Sequence, residues 1–149
     1  VSTVNNADEE LTQICGIDPK SIAVVDQSKF NTATTTYDNS GEIVLEEYQP
    51  NYLRYRFNNT GTALAVFSEI YYPEGWKATI DGEPANILRA NFILRALEVP
   101  SGQHTIEFRF EPAAYYTGNK VMMASSIALL LLFFGIVGLE LKKLRNNGE

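Results

Sequence analysis

The stretch VMMASSIALLLLFFGIVGL, Val121 to Leu139, runs 19 residues without a charge. As a helix rising 1.5 Å per residue it is a rod about 28 Å long, close to the hydrocarbon thickness of a bilayer. A core helix of this composition needs protein on every side, more than a chain of 149 residues readily supplies. The run is therefore read as a transmembrane helix spanning 120–141. Lys142, Lys143 and Arg145 follow it, while the nearest cation before it is Lys120 alone. By the positive-inside rule the tail, 142–149, lies in the cytoplasm and residues 1–119 lie outside it. Tyr115 and Tyr116 fall where an interfacial aromatic belt would sit. Ala124 and Ala128 give a small-x-x-x-small spacing that suits packing against other helices. The chain opens on Val1 without a signal-peptide pattern, so it is read as a piece of a longer protein.

Residues 1–119 hold 8 Lys/Arg against 16 Asp/Glu, a net of −8, and the excess acid lies in the first 50 residues. No basic stripe is present to neutralise phosphates, which excludes nucleic acid as a partner. The single cysteine, Cys15, cannot make an internal disulfide, so an exported domain must stand on its apolar core. Cys15 falls in the apolar periodicity of a short helix and is expected to pack rather than react.

That helix is read from ADEELTQICGI, with a cap at Asn6 or Asp8 and a stop at Gly16 and Pro19. IAVV, Ile22 to Val25, is a short strand, and the Thr/Asn/Asp/Ser-rich stretch from Asp26 to Gly41 is a loop. Beyond it the period becomes two. Leu53, Tyr55 and Phe57 alternate with Tyr52, Arg54 and Arg56; Trp76, Ala78 and Ile80 alternate with Lys77, Thr79 and Asp81; Ile106, Phe108 and Phe110 alternate with Thr105, Glu107 and Arg109. Asp81-Gly82 marks a tight turn. Six or seven short strands with no helix between them imply a mainly β fold, an antiparallel sandwich or jelly roll with a short N-terminal helix and one C-terminal transmembrane helix.

Several pieces carry a family resemblance: YYPEGW (Tyr71 to Trp76), IDG (Ile80 to Gly82), LRANFILRALEVPSGQH (Leu88 to His104) and FRFEP (Phe108 to Pro112), with IAVVD and YQPNYLRYRF fitting more loosely. Together they resemble the C-terminal extracytoplasmic domain of the YfhO-like bacterial membrane proteins, from about Ile22 to Leu139. The resemblance implies a large multi-span parent in the bacterial cytoplasmic membrane, related to glycosyltransferases that use polyprenyl-phosphate sugars to decorate the cell envelope. It places the acidic catalytic residues in loops between the first spans, which this chain lacks. The implied partners are the rest of the parent, the bilayer, and a glycan or polyprenyl-phosphate sugar.

The residues themselves carry no catalytic signature: no G-x-S-x-G, no phosphate loop and one histidine. No metal or cofactor is expected, since a lone Cys15 and a lone His104 cannot build a zinc site. Glu46-Glu47, adjacent on a strand, point to opposite faces and cannot act as an acid/base couple. Asn58 to Thr60 matches a glycosylation sequon and reads equally well as a turn. Sugar binding is the sharper expectation. Aromatic faces stack on C–H surfaces while Asp, Asn and Arg hydrogen-bond the hydroxyls, and Tyr72, Trp76, Asp81, Arg89, Asn91 and Arg95 supply those types. The structural alternatives are as concrete: Trp76 in the core by parity with Ala78 and Ile80, Asp81 in its turn, His104 bonded to backbone, and Arg95 paired with a nearby acid. Arg89, read in the loop before the strand, is freer to face a partner. A purely structural module that packs on the parent's other loops is the competing function.

Overall fold

The computed structural model describes residues 1–146, so part of the tail assigned to 142–149 lies outside the described residues. The chain forms two compact units, one ending at Glu111 and one beginning at Pro112. The first runs β1 (Ser2–Val4), α1 (Ala7–Ile14), β2 (Val24–Asp26), β3 (Glu42–Gln49), β4 (Tyr52–Asn59), β5 (Ala63–Ile70), β6 (Trp76–Ile80), β7 (Glu83–Ala85), β8 (Leu88–Ala90), β9 (Leu94–Val99) and β10 (Gly102–Phe110). The second is α2 (Ala113–Asn146).

The period-two segments form two antiparallel sheets. One has five strands in the order β3-β4-β10-β6-β7, the other three in the order β5-β9-β8. Leu53 and Phe57 of β4, Ala78 of β6, and Ile106 and Phe108 of β10 meet Ala65 and Phe67 of β5 and Leu97 and Val99 of β9 between the sheets. Phe108 is fully buried, 4.8 Å from Phe67 edge to face and 6.2 Å from Tyr55. Burying a side chain of this size stabilises by about 1.5–3 kcal/mol, so a core of such residues holds the sandwich without a disulfide. The inward residues are those whose alternation predicts it.

The sheets are unequal, and two consequences follow. The three-stranded sheet is too narrow to cover β3, so Ile43, Leu45 and Tyr48 remain exposed although their register partners Phe57, Tyr55 and Leu53 belong to or pack on the core. β3 also carries a register shift between Leu45 and Glu47. The outer face of the three-stranded sheet is covered by the N-terminal segment, where β1 and β2 pair in parallel and Val25, Leu88, Ala90 and Ala96 form a second apolar cluster. β9 is thus covered on both faces, which explains why neither face of ALEV reads as polar.

α2 extends further toward the N-terminus than the expected span of 120–141: the residues AAYYTGN already form its first two turns. Its large apolar side chains are exposed, Leu129 and Leu131 at 69 % among them, a surface suited to hydrocarbon rather than water.

Candidate functional site

Arg89 does not lie in a loop. It occupies β8, directly opposite Arg95 of β9 in register. Two like charges so placed repel, and each is drawn to a different acid. Arg89 turns to Glu10. Asn6 caps α1 by accepting from the Glu9 amide (2.9 Å), and the Glu9 carboxylate reaches back past the cap to accept from the Asn5 amide (3.0 Å), which together fix the first turn. Glu10, the next residue, is then fully buried. Its Oε2 accepts from Arg89 Nη2 at 2.8 Å and its Oε1 from the Phe92 amide at 2.8 Å. Asp26, also fully buried, stands 3.9 Å from the same guanidinium nitrogen. Hydrogen bonds from the Ser28 hydroxyl (2.6 Å) and amide (3.0 Å) hold its carboxyl below the usual carboxylate range.

The corner after β8 supports the same contact. Asn91 and Phe92 both take left-handed conformations, φ 50° and 69°, uncommon for non-glycine residues and costly for one as bulky as Phe. Asn91 exchanges two 2.8 Å bonds with Val24: its amide donates to the Val24 carbonyl and its Oδ1 accepts from the Val24 amide. Arg89 and Asn91 thus fasten the N-terminal flank to the sandwich. Glu98, on the outer face of β9, fastens the following loop by accepting from the Ala33 amide (2.7 Å) and the Tyr37 hydroxyl. Burial first, and then this carboxylate, pushes Tyr37 up to about 12.

Arg95 points between the sheets and is 3 % exposed. Its guanidinium carbon lies 4.3 Å from the Trp76 ring centroid and 5.0 Å from that of Phe108. Nη2 is 3.8 Å from Glu69 Oε2, a charge contact too long for a hydrogen bond, and Nε and Nη1 meet no hydrogen-bond partner among the described residues. Burial lowers its pKa while Glu69 opposes the shift. The charge is therefore held mainly by aromatic faces, with Glu69 at the edge.

Asp81 serves its turn, with φ 52° followed by Gly82 at 87°. Its Oδ1 accepts from the Thr105 amide (2.7 Å) and its Oδ2 from His104 Nδ1 (2.6 Å). His104 Nε2 faces the Ser101 carbonyl at 3.2 Å. Both ring nitrogens thus meet acceptors, an arrangement that suits the imidazolium; the Asp81 contact chiefly raises the His104 pKa, and the His104 contact chiefly lowers that of Asp81. Cys15, expected to pack, is exposed at the C-cap of α1, because the buried face of that helix is spent on Glu10.

Of the six expected ligand residues, Tyr72 and Trp76 share one groove. It is about 400 Å³, walled by Tyr71, Tyr72, Pro73, Trp76, Thr79 and Asn86. Phe110 backs it, 5.3 Å from Trp76 and 6.4 Å from Tyr72, and the buried Thr79 Oγ1 has no hydrogen-bond partner among the described residues. Arg95 reaches this group through Trp76 alone, and Asp81, Arg89 and Asn91 stand apart from it. A second cavity of about 420 Å³, which periodicity alone does not reveal, lies toward the other end of the strands and is lined by Lys20, Ser21, Asp38, Glu42 and Asn59 among others. There the Thr60 hydroxyl (2.6 Å) and the Ser40 amide (3.0 Å) hold Asp38 down to about 2. No cluster of His, Cys, Asp and Glu suited to a metal occurs among the described residues.

The family model described as bacterial membrane protein YfhO matches residues 13–121. The chain belongs to the YfhO family. The match begins within α1, takes in β2 to β10 and ends where the apolar run of α2 starts, so the YfhO resemblance covers the whole sandwich. Family and helix together make this a membrane-protein domain that works in association with a parent protein. No curated protein and no solved structure matches the chain.

Proposed function

We propose that this YfhO-family chain is the accessory extracytoplasmic domain and last span of a multi-span, glycosyltransferase-like protein of the bacterial cytoplasmic membrane, and that it helps to position an acceptor or to cap the active-site cavity in cell-envelope glycosylation. In this reading residues 1–119, with the sandwich, lie outside the membrane, 120–141 span it and 142–149 lie inside, which Lys142, Lys143 and Arg145 support. The chain contributes binding and leaves catalysis to the parent. The observation that carries this reading is the groove in which Tyr72 and Trp76 stand beside Asn86 and Thr79: aromatic walls with a few polar residues, in the size range of small-ligand sites.

The test is binding of a polyprenyl-phosphate hexose, and of the free hexose, to the full chain in nanodiscs. Tyr72 is half exposed and can be truncated without opening the core. Tyr72→Ala is expected to weaken binding about tenfold, the size of a lost aromatic anchor. Absence of binding by the unsubstituted chain would sink this reading. A second reading, a structural module that packs on the parent's other loops, is favoured by the uncovered inner face of β3 with Ile43, Leu45 and Tyr48. It expects loss of parent activity on Leu45→Asp with no glycan bound by the chain.

A further inference from the structure

We infer that the sandwich rests on the bilayer surface through an apolar rim at the end of its strands where the chain leaves for α2. The rim is Ile70, Tyr72 and Ile93, exposed by 67 %, 51 % and 51 %. The topology brings them to one place. Ile70 ends β5 opposite Leu94, the Tyr71 amide donates to the Ile93 carbonyl at 2.7 Å, and Tyr72 lies against Phe110, the last residue of β10. Single exposed apolar residues are ordinary on a protein surface, but three large ones gathered at one end are not explained by the fold.

Chain length says what lies within their reach. Phe110 and Ala113, the first residue of α2, stand three residue steps apart, at most about 11 Å of extended chain. From Ala113 to Lys120 the helix rises about 12 Å before the apolar run begins. Whatever angle the two units adopt, Phe110 stays within about 23 Å of the start of the apolar run, a distance of which the polar headgroup layer takes about 5–7 Å. The occupant to which this geometry commits is the boundary between headgroups and acyl chains, where tyrosine and aliphatic side chains insert together. Charge specifies the lipid: with a net of −8 over residues 1–119, the domain is repelled by an anionic surface, so docking is apolar and needs no acidic lipid. Tyr72 also walls the candidate groove, so Ile70 and Ile93, which do not line it, are the residues that test the rim apart from any glycan.

The molecule supplies its own probe, because Trp76 is its single tryptophan and lies 5.3 Å from Phe110. The full chain is placed in phosphatidylcholine nanodiscs carrying bromine either near the headgroups or deep in the acyl chains, and Trp76 quenching is read. Shallow bromine is expected to quench more than deep bromine. Ile70→Asp with Ile93→Asp should lower the shallow quenching about twofold, while Ile43→Asp, at the far end of the strands, leaves it unchanged; acidic lipid should not increase it. Far-UV dichroism checks folding, and Ile70→Thr with Ile93→Thr replaces the aspartates should they unfold the chain. The inference is overturned if the folded rim variant quenches like the original chain, if Ile43→Asp lowers quenching equally, or if quenching appears only when two chains share a disc.

Discussion

Arg89 and Arg95 stand opposite one another on adjacent strands, yet the regions they hold are built by different rules. Arg89 belongs to the flank, where a partly buried guanidinium meets a fully buried carboxylate at 2.8 Å and that carboxylate also takes the Phe92 amide. Arg95 belongs to the inter-sheet core, where two aromatic rings take the place of hydrogen-bond acceptors and the nearest acid, Glu69, has a side chain 31 % exposed. The difference lies in what is left behind when one partner goes. Without Arg89, Glu10 is an unpaired charge away from water; without Arg95, Glu69 turns to solvent.

That contrast can be broken by substitution. Glu10→Ala should cost about 3 kcal/mol, at the lower end for a broken buried pair because Arg89 retains some access to water. It should appear as a large fall in the thermal midpoint of the full chain in nanodiscs, with the Phe92 amide losing hydrogen-exchange protection. Arg95→Met should change stability by no more than about 1 kcal/mol, since the lost cation–π contacts are offset by the end of guanidinium desolvation. A loss on Arg95→Met as large as that on Glu10→Ala would erase the distinction.

The smallest effect concerns the exposed pair of Asp81 and His104. The His104 pKa is raised from 6.5, so its contribution is complete below about pH 6.5 and fades as pH rises through the raised value. The Asp81 pKa is lowered from 3.8, so its contribution is complete above that value and fades as pH falls through the lowered one. The pair is therefore worth most between pH 3.8 and 6.5, by a few tenths of a kcal/mol given its exposure. The difference in midpoint between the original chain and His104→Gln should be largest in that window and shrink on either side.

The sandwich was legible because its inner faces follow period two: the alternation of Leu53 and Phe57, and of Ile106 and Phe108, needs only a strand to become a core. The flank was not. Glu10 is buried while its neighbour Leu11 is 51 % exposed, the reverse of an amphipathic reading, since a partner 79 residues away decides which side of α1 turns inward. Arg89 read as a loop residue for a similar reason. β8 has three residues, too few to show a period, and the corner after it depends on Val24 and Glu10 rather than on a glycine turn. For the candidate groove, the aromatic pair YY…W was visible in sequence, whereas its separation from Asp81, Arg89 and Asn91 depends on strand pairing that no local pattern encodes.

The shift of register in β3 has a consequence for the company this domain keeps. A free sheet edge offers unpaired amides and carbonyls to any neighbouring strand, and a domain confined to a membrane meets its own copies in two dimensions, at raised local concentration. The bulge between Leu45 and Glu47 interrupts the row of edge groups, and Glu46 and Glu47 set charge beside it, tied to Arg54 and Arg56 on the next strand. A second copy sliding alongside β3 would find no unbroken ladder to join. Neighbours can approach this edge by side chains, as partners, without being drawn into a shared sheet.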